Sequence, residues 1–194
     1  MKNVLGSIVA IVVLTAVFGF AYPLVMTGFA QVAFKHQANG SLVTVDGKVV
    51  GSKLAAQAFT SSRYFHERPS GTAPAYNAGA TTFANLGPTS SDLAKNVHAA
   101  AEAILKLERP YNPGLAIGDI PVDAVTTSGS GIDPDISPAY AALQSRRVAA
   151  VRQLPLATVR KLIESNTDGR SWGFFGEPGV NVLELNLALD EASR

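Results

Sequence analysis

The chain has 194 residues, 47% of them hydrophobic, and its 16 Lys and Arg stand against 15 Asp and Glu for a net charge of +1. Past Phe34 the two signs balance, which excludes the clustered basic excess of a nucleic-acid binder, an acidic tail and a polybasic membrane-surface patch. The absence of cysteine excludes disulfide scaffolds, Cys-bearing zinc sites, Fe–S clusters and thiol nucleophiles.

No charge occurs from Asn3 to Phe34. A helix over Val4 to Phe34 runs roughly 46 Å, against a hydrocarbon core of about 30 Å. Pro23 falls where a first span would end and predicts a kink or a change of environment. Tyr22 and Phe29 suit the outer interface. Gly28-Phe29-Ala30 also fits a signal-peptide cleavage site before Gln31, but the run is about twice a signal peptide's hydrophobic region. Residues 1–34 are therefore read as a retained membrane anchor and residues 35–194 as one soluble domain. Lys2 on one side and Lys35, His36 and Lys48 on the other leave orientation open. Gly6 and Ala10 have the small-xxx-small spacing that admits a partner helix, with Thr15, Thr27 and Gln31 further on; chance in a Gly- and Ala-rich helix gives the same pattern. The run holds no acid or base that would carry ions.

Leu42 to Val45 and Lys48 to Val50 flank Asp46-Gly47, a hairpin signal. Residues 61–91 are rich in Gly, Pro, Ser, Thr and Asn and read as a long ordered loop, unusual enough to suggest binding. Ser91 or Thr89 caps a helix to about Leu107, with Leu93, Val97, Ala100, Ile104 and Leu107 as its buried stripe and His98 on the exposed flank. Val122 to Thr127 reads as a short strand. Ser137-Pro138 opens a helix to Arg152, and Pro155 begins another that ends near Asn166 to Gly169. Val182 to Leu189 alternates Leu with Glu184, Asn186 and Ala188, the pattern of a half-buried strand. Strands and helices do not alternate strictly, so the soluble part is expected to be α+β, with a small sheet and about three helices.

No Walker A, GxGxxG or GxSxG motif is present. Ser128, Gly129, Ser130 and Gly131 form a small-residue loop able to cradle an anion, although no P-loop Lys follows; a tight turn between elements explains it equally. Asp133, Asp135 and Asp123 suit either a hard cation or turn chemistry. His36, His66 and His98 are too dispersed for a metal site, and these motifs together argue against an enzyme. Gln144, Arg147 and Arg152 form a polar ridge suited to an acidic partner or a phosphate, or simply to the helix dipole.

Several segments together carry a family resemblance: Tyr22-Pro23-Leu24; Arg63-Tyr64-Phe65-His66-Glu67-Arg68-Pro69-Ser70; Tyr76-Asn77; Asn85-Leu86-Gly87-Pro88; the run from Pro121 through Thr127-Ser128-Gly129-Ser130-Gly131 to Pro138; Gln144 with Arg147-Val148-Ala149 and Arg152; and Gly176-Glu177-Pro178 followed by Val180 to Asp190. Over nearly its whole length the chain resembles the C subunit of the Kdp high-affinity potassium-transporting P-type ATPase. Glu67, where a small residue is usual, and Thr82-Phe83-Ala84 depart from the pattern. The resemblance implies a non-catalytic, single-span inner-membrane subunit whose soluble domain is expected to be periplasmic. Its partners would be a channel-like subunit that selects potassium and a pump subunit that hydrolyses ATP through a phosphorylated aspartate, in a lipid bilayer and without nucleic acid. It would stabilise their assembly and promote ATP binding by the pump subunit, as a catalytic chaperone. No cofactor is expected on this chain itself; ATP and potassium would come through the complex. Gln144 matches a nucleotide-contact position, and with Ser128 to Gly131 it defines the alternative of a direct nucleotide-contacting helper, which a periplasmic domain would forbid. An anchored extracytoplasmic enzyme using Ser130 or Asp133 is the third reading.

Overall fold

The structure is a computed structural model that describes residues 2–81 and 85–193, so Thr82-Phe83-Ala84 lie outside the described residues. The chain divides into two units, Met1–Leu42 and Val43–Arg194.

In the first unit, α1 (Lys2–Ala33) is one helix of 32 residues, long and apolar enough to cross a membrane. None of its hydrophobic side chains is buried, Leu24 being 70% exposed and Ile11 65%. A helix apolar all round needs an apolar surrounding that its own chain does not supply. The helix continues through Pro23, and the expected local disturbance takes the form of a π-helical stretch, Thr15–Ala21, just before it. There the Tyr22 N–H donates to the carbonyl of Val17, one residue further back than in an α-helix. Pro23 has no N–H for the carbonyl of Gly19, and its ring would crowd that oxygen; a widened turn absorbs both problems. Past Phe34, Asn39 closes the end: its Nδ2 donates to Gln31 Oε1 at 3.1 Å and to the Lys35 carbonyl.

The expected hairpin follows, β1 (Leu42–Val45) and β2 (Lys48–Ser52). Asp46 and Gly47 both take positive φ, 50° and 76°, the geometry that an Asp-Gly turn between twisted strands requires. Gly51 lets β2 approach the core: a Cβ there would stand 2.8 Å from Leu183 Cδ2. From there to Ser90 the described residues form no helix and no further strand. Helix α2 (Ser91–Glu108) is capped by Ser90, between the two caps expected, its hydroxyl accepting from the Leu93 N–H. Its deepest residues are Ala101, Ile104, Leu105 and Glu108, while His98 is exposed as expected.

A short β3 (Asp135–Ile136) leads into α3 (Pro138–Arg152), with Ser137 as cap and Pro138 at the first position as expected. Helix α4 (Leu156–Ser165) packs against α3 and is followed by β4 (Thr167–Asp168), β5 (Gly179–Asn181) and α5 (Val182–Ala192). The three short strands form an antiparallel sheet in the order β3-β5-β4, with Ile136 opposite Val180 and Val180 opposite Thr167. The core gathers Phe65, Ile136, Val148, Val159, Val182 and Leu185 between this sheet and the helices.

Two expected strands are helices. Val182 to Leu189 belongs to α5, where Val182, Leu183, Leu185, Asn186 and Leu189 are all buried. A helix enclosed on several sides also buries alternate residues, and Leu favours helix. The deciding local signal is Asn181, whose side chain accepts from the Glu184 N–H at 3.2 Å, with Glu184 in the first turn. Val122 to Thr127 holds a single helical turn, Val122–Val125, that buries Ala124 before the chain extends. The soluble part is thus α+β as expected, with four long helices among the described residues rather than about three.

Candidate functional site

The irregular segment 61–70 starts at the surface and turns inward at Phe65 and Glu67, and there its backbone needs partners that no neighbouring strand supplies. Side chains supply them. Gln144 Oε1 accepts from the His66 N–H at 2.8 Å and its Nε2 donates to the His66 carbonyl at 3.0 Å. Asn186 does the same for Phe65, at 2.8 and 3.0 Å. Arg147 donates to the carbonyls of Ser62 and Tyr64, to Gln144 Oε1 at 2.8 Å and to Glu108 Oε1 at 2.7 Å. Arg152 donates to the Arg63 carbonyl at 2.7 Å and to Asp190 Oδ1 at 2.8 Å, with its guanidinium 4.8 Å from the centre of the Tyr64 ring. Two carboxamides and two guanidiniums therefore take the place of a pairing strand.

The polar ridge of Gln144, Arg147 and Arg152 faces inward, all three residues being buried. The Arg147–Glu108 pair is buried at both ends. Burial raises the Glu108 carboxyl above the ordinary range while Arg147 pulls it back, and Glu108 Oε2 has no partner. Such a pair contributes little over an apolar pair of equal volume, but breaking it strands a charge. His66 lies beside it, its pKa lowered by burial and by Arg147 and raised by the Ser61 carbonyl, which its Nε2 meets at 3.0 Å.

The same segment fixes the Ser/Gly loop. Arg68 donates to the carbonyls of Thr126 and Thr127, both at 3.3 Å, and pairs with Asp133 at 3.1 Å. Ser70 Oγ donates to the Gly131 carbonyl at 2.8 Å. Within the loop, Ser128 Oγ accepts from the Gly131 N–H at 3.0 Å, Ser130 Oγ accepts from the Ile132 N–H at 3.2 Å, and the two hydroxyls lie 3.2 Å apart. Ser128 and Gly129 border an open cleft of about 570 Å³ whose other wall includes Leu93, Asn96, Val97 and Ala100 of α2. Gln144 does not line that cleft, so the residues of the expected nucleotide site stand in two places.

Of the three aspartates only Asp133 does turn chemistry, while Asp123 and Asp135 tie together segments distant in sequence. Asp123 accepts from the Ser137 N–H at 2.7 Å and from its hydroxyl at 2.8 Å, Asp133 accepts from the Asp135 N–H at 3.1 Å, and Asp135 accepts from Asn181 at 3.1 Å. His36, His66 and His98 stay on separate elements, and among the described residues no group of His, Asp or Glu converges as a metal site. Gly6 stands free on α1, with no atom near its would-be Cβ.

Glu67 is the exception to this orderly pairing. It is 6% exposed, and neither carboxylate oxygen has a partner of normal hydrogen-bond geometry. Burial and then the charges of Asp135 and Asp133 push its pKa up to about 9, against a weaker pull from the Gln57 backbone. The sequence singled out the Gln144 ridge but not its counterparts. Glu108 hides as a polar break in an apolar helix stripe, and Asn186 as one polar residue among leucines; a buried amide needing two partners was the available signal.

A family model described as "K+-transporting ATPase, c chain" matches residues 4–191. A protein named "Potassium-transporting ATPase KdpC subunit" from Sorangium cellulosum is 53% identical over 187 residues, 96% of each chain. Proteins of the same name from Methylobacterium nodulans, 49% identical over 98% of each chain, and Bradyrhizobium diazoefficiens, 48% identical over 100% of this chain and 98% of that one, are similarly close. The resemblance read from the sequence motifs is borne out over almost the full length.

Two expectations follow. Glu67 is protonated in the fold but ionised in the unfolded chain above about pH 4.5, so stability falls as pH rises from there towards about 9. Glu67→Gln should flatten that slope and stabilise the protein at about pH 7 by on the order of 3 kcal/mol; urea unfolding over a pH series measures it, and an unchanged slope rules it out. Arg147→Ala should cost about 3–5 kcal/mol, only partly recovered when Glu108→Leu is added, because the Ser62 and Tyr64 carbonyls stay without their donor. Chemical denaturation of the single and paired variants checks this.

Proposed function

The chain belongs to the KdpC family of potassium-transporting ATPase subunits, and from that premise we propose that it holds the pump together and assists ATP binding without touching ATP. It is an accessory subunit, not the catalytic one, which removes the anchored-enzyme reading built on Ser130 or Asp133. It works beside other subunits of the Kdp complex and carries one helix fit to cross a membrane. The partners we assign are a channel-like potassium-selecting subunit and an ATP-hydrolysing pump subunit in the cell inner membrane. Potassium and ATP enter through them.

One observation carries this reading: α1 exposes every large hydrophobic side chain it has. The Gly6 and Ala10 face is where a neighbouring helix can approach closely. The soluble domain is assigned to the periplasm, and the chaperone effect on ATP affinity is then indirect, through the pump subunit's conformation. That Gln144 spends both ends of its amide on the His66 backbone favours this over direct contact.

Leucine at both Gly6 and Ala10 should reduce co-purification of the other subunits, by ~1–2 kcal/mol or roughly tenfold in association; full recovery would overturn the helix-packing role. Orientation is read from Ala157→Cys, a single thiol on the exposed side of α4. Labelling by a membrane-impermeant reagent in intact spheroplasts is expected, and protection until the membrane is opened would move the domain to the cytoplasm. The direct-contact reading keeps one favourable observation, the presence of Ser128 and Gly129 on the cleft. Photo-labelling of the complex by an ATP analogue within residues 128–131 would restore it.

A further inference from the structure

Between β4 and β5 the chain turns back through Arg170-Ser171-Trp172-Gly173-Phe174-Phe175-Gly176-Glu177. Ser171 and Phe175 exchange backbone hydrogen bonds at 2.9 Å in both directions, and the Gly173 N–H donates to the Arg170 carbonyl at 3.0 Å. Below them one guanidinium nitrogen of Arg170 meets both carboxylate oxygens of Glu177, at 2.7 and 2.9 Å. Trp172 and Gly173 hold positive φ, 58° and 82°, a conformation that costs a bulky residue energy and persists only where its surroundings impose it. This is a built tip.

Its side chains face water. Trp172 is 88% exposed, Phe174 64% and Phe175 61%, and the two Phe rings stand 4.2 Å apart at their centres. No charge interrupts the run from Ser171 to Gly176. Ordered aromatics left in solvent forgo roughly 25 cal/mol for each Å² they could bury, and a patch of this kind marks a contact surface.

We propose that this tip is a second membrane contact, dipping into the headgroup region of the bilayer that α1 crosses. The inference rests on the reading of α1 as a retained membrane helix. The link between Ala33 and Leu42 cannot stretch beyond roughly 30 Å, and a domain of this length has a radius of gyration of about 15 Å. The domain is thus tethered covalently to the helix that crosses the bilayer, which raises the effective concentration of lipid above that of any partner outside the complex. The chemistry agrees: Trp collects at the membrane–water interface, where an indole ring buries its body and keeps its N–H wet, and Phe is a usual apolar companion in interfacial segments. The base of the tip is a closed ion pair, so it needs no anionic lipid.

Trp172 is the only tryptophan of the chain, so its fluorescence reports this tip alone. The full chain is reconstituted into nanodiscs of phosphatidylethanolamine and phosphatidylglycerol, with acyl chains either plain or brominated near the headgroup. Co-elution with the discs reads α1, and emission reads the tip. A shift to shorter wavelength and about a twofold quenching by the brominated lipid are expected. Both should vanish when Phe174→Ser and Phe175→Ser are combined, a change outside the core that leaves circular dichroism unaltered. Emission indifferent to brominated lipid and quenched by iodide would overturn the proposal. So would shielding that appears only when the other pump subunits are added, which would give the tip to a protein partner. A chain that fails to co-elute removes the premise and the proposal with it.

Discussion

The soluble domain depends on one substitution of side chain for backbone. A strand in the core ordinarily satisfies its N–H and C=O groups by lying beside another strand. The Ser62 to His66 segment has no such neighbour, and Gln144, Asn186, Arg147 and Arg152 reach in from two helices to do that work. Because each carboxamide holds an N–H donor and a C=O acceptor side by side at fixed spacing, it imitates a residue of a facing strand. Helix α3 consequently carries polar groups where a core helix would carry leucines, and Arg147 can sit at 0% exposure without being an unpaired charge.

This arrangement bears on function because it decides which polar groups remain for partners. A ridge with two arginines and a glutamine invites a phosphate-binding reading when imagined on a surface. Turned inward, it orders a segment whose own far end, Arg68 and Ser70, then holds the Ser/Gly loop. The outward features are the cleft beside that loop, the aromatic tip and the bare helix α1. As uncovered surfaces, they are what an accessory subunit of a transport complex has left to offer a partner.

How much of this was legible in the sequence depends on the range of the forces involved. The Asp46-Gly47 hairpin, the Ser137-Pro138 helix start and the long apolar N-terminal helix are written in neighbouring residues, and they stand where local rules put them. The stretch from Val182 misled because four leucines at alternate positions satisfy a strand and an enclosed helix alike; only the Asn181 cap distinguishes the two. At the candidate site, Gln144 and Arg147 were visible as a pair, but their direction was not. That is set by Glu108, 39 residues from Arg147, and by a backbone segment 78 residues from Gln144, at His66. No spacing rule spans such distances.

The clamp also orders events in time. Phe65 is paired by a residue 121 positions later, and Tyr64 by Asp190, 126 positions later. Closing so long a loop costs chain entropy before any contact returns it, and contacts of this separation form late and slowly. During synthesis the Phe65 segment must wait, unpaired and rich in buried-type groups, until α5 has been made. A chain held or cut before that point cannot finish its core, whatever its earlier helices have achieved. The core is thus closed only once α5 has been made, and partly made copies leave the Phe65 segment open to proteases.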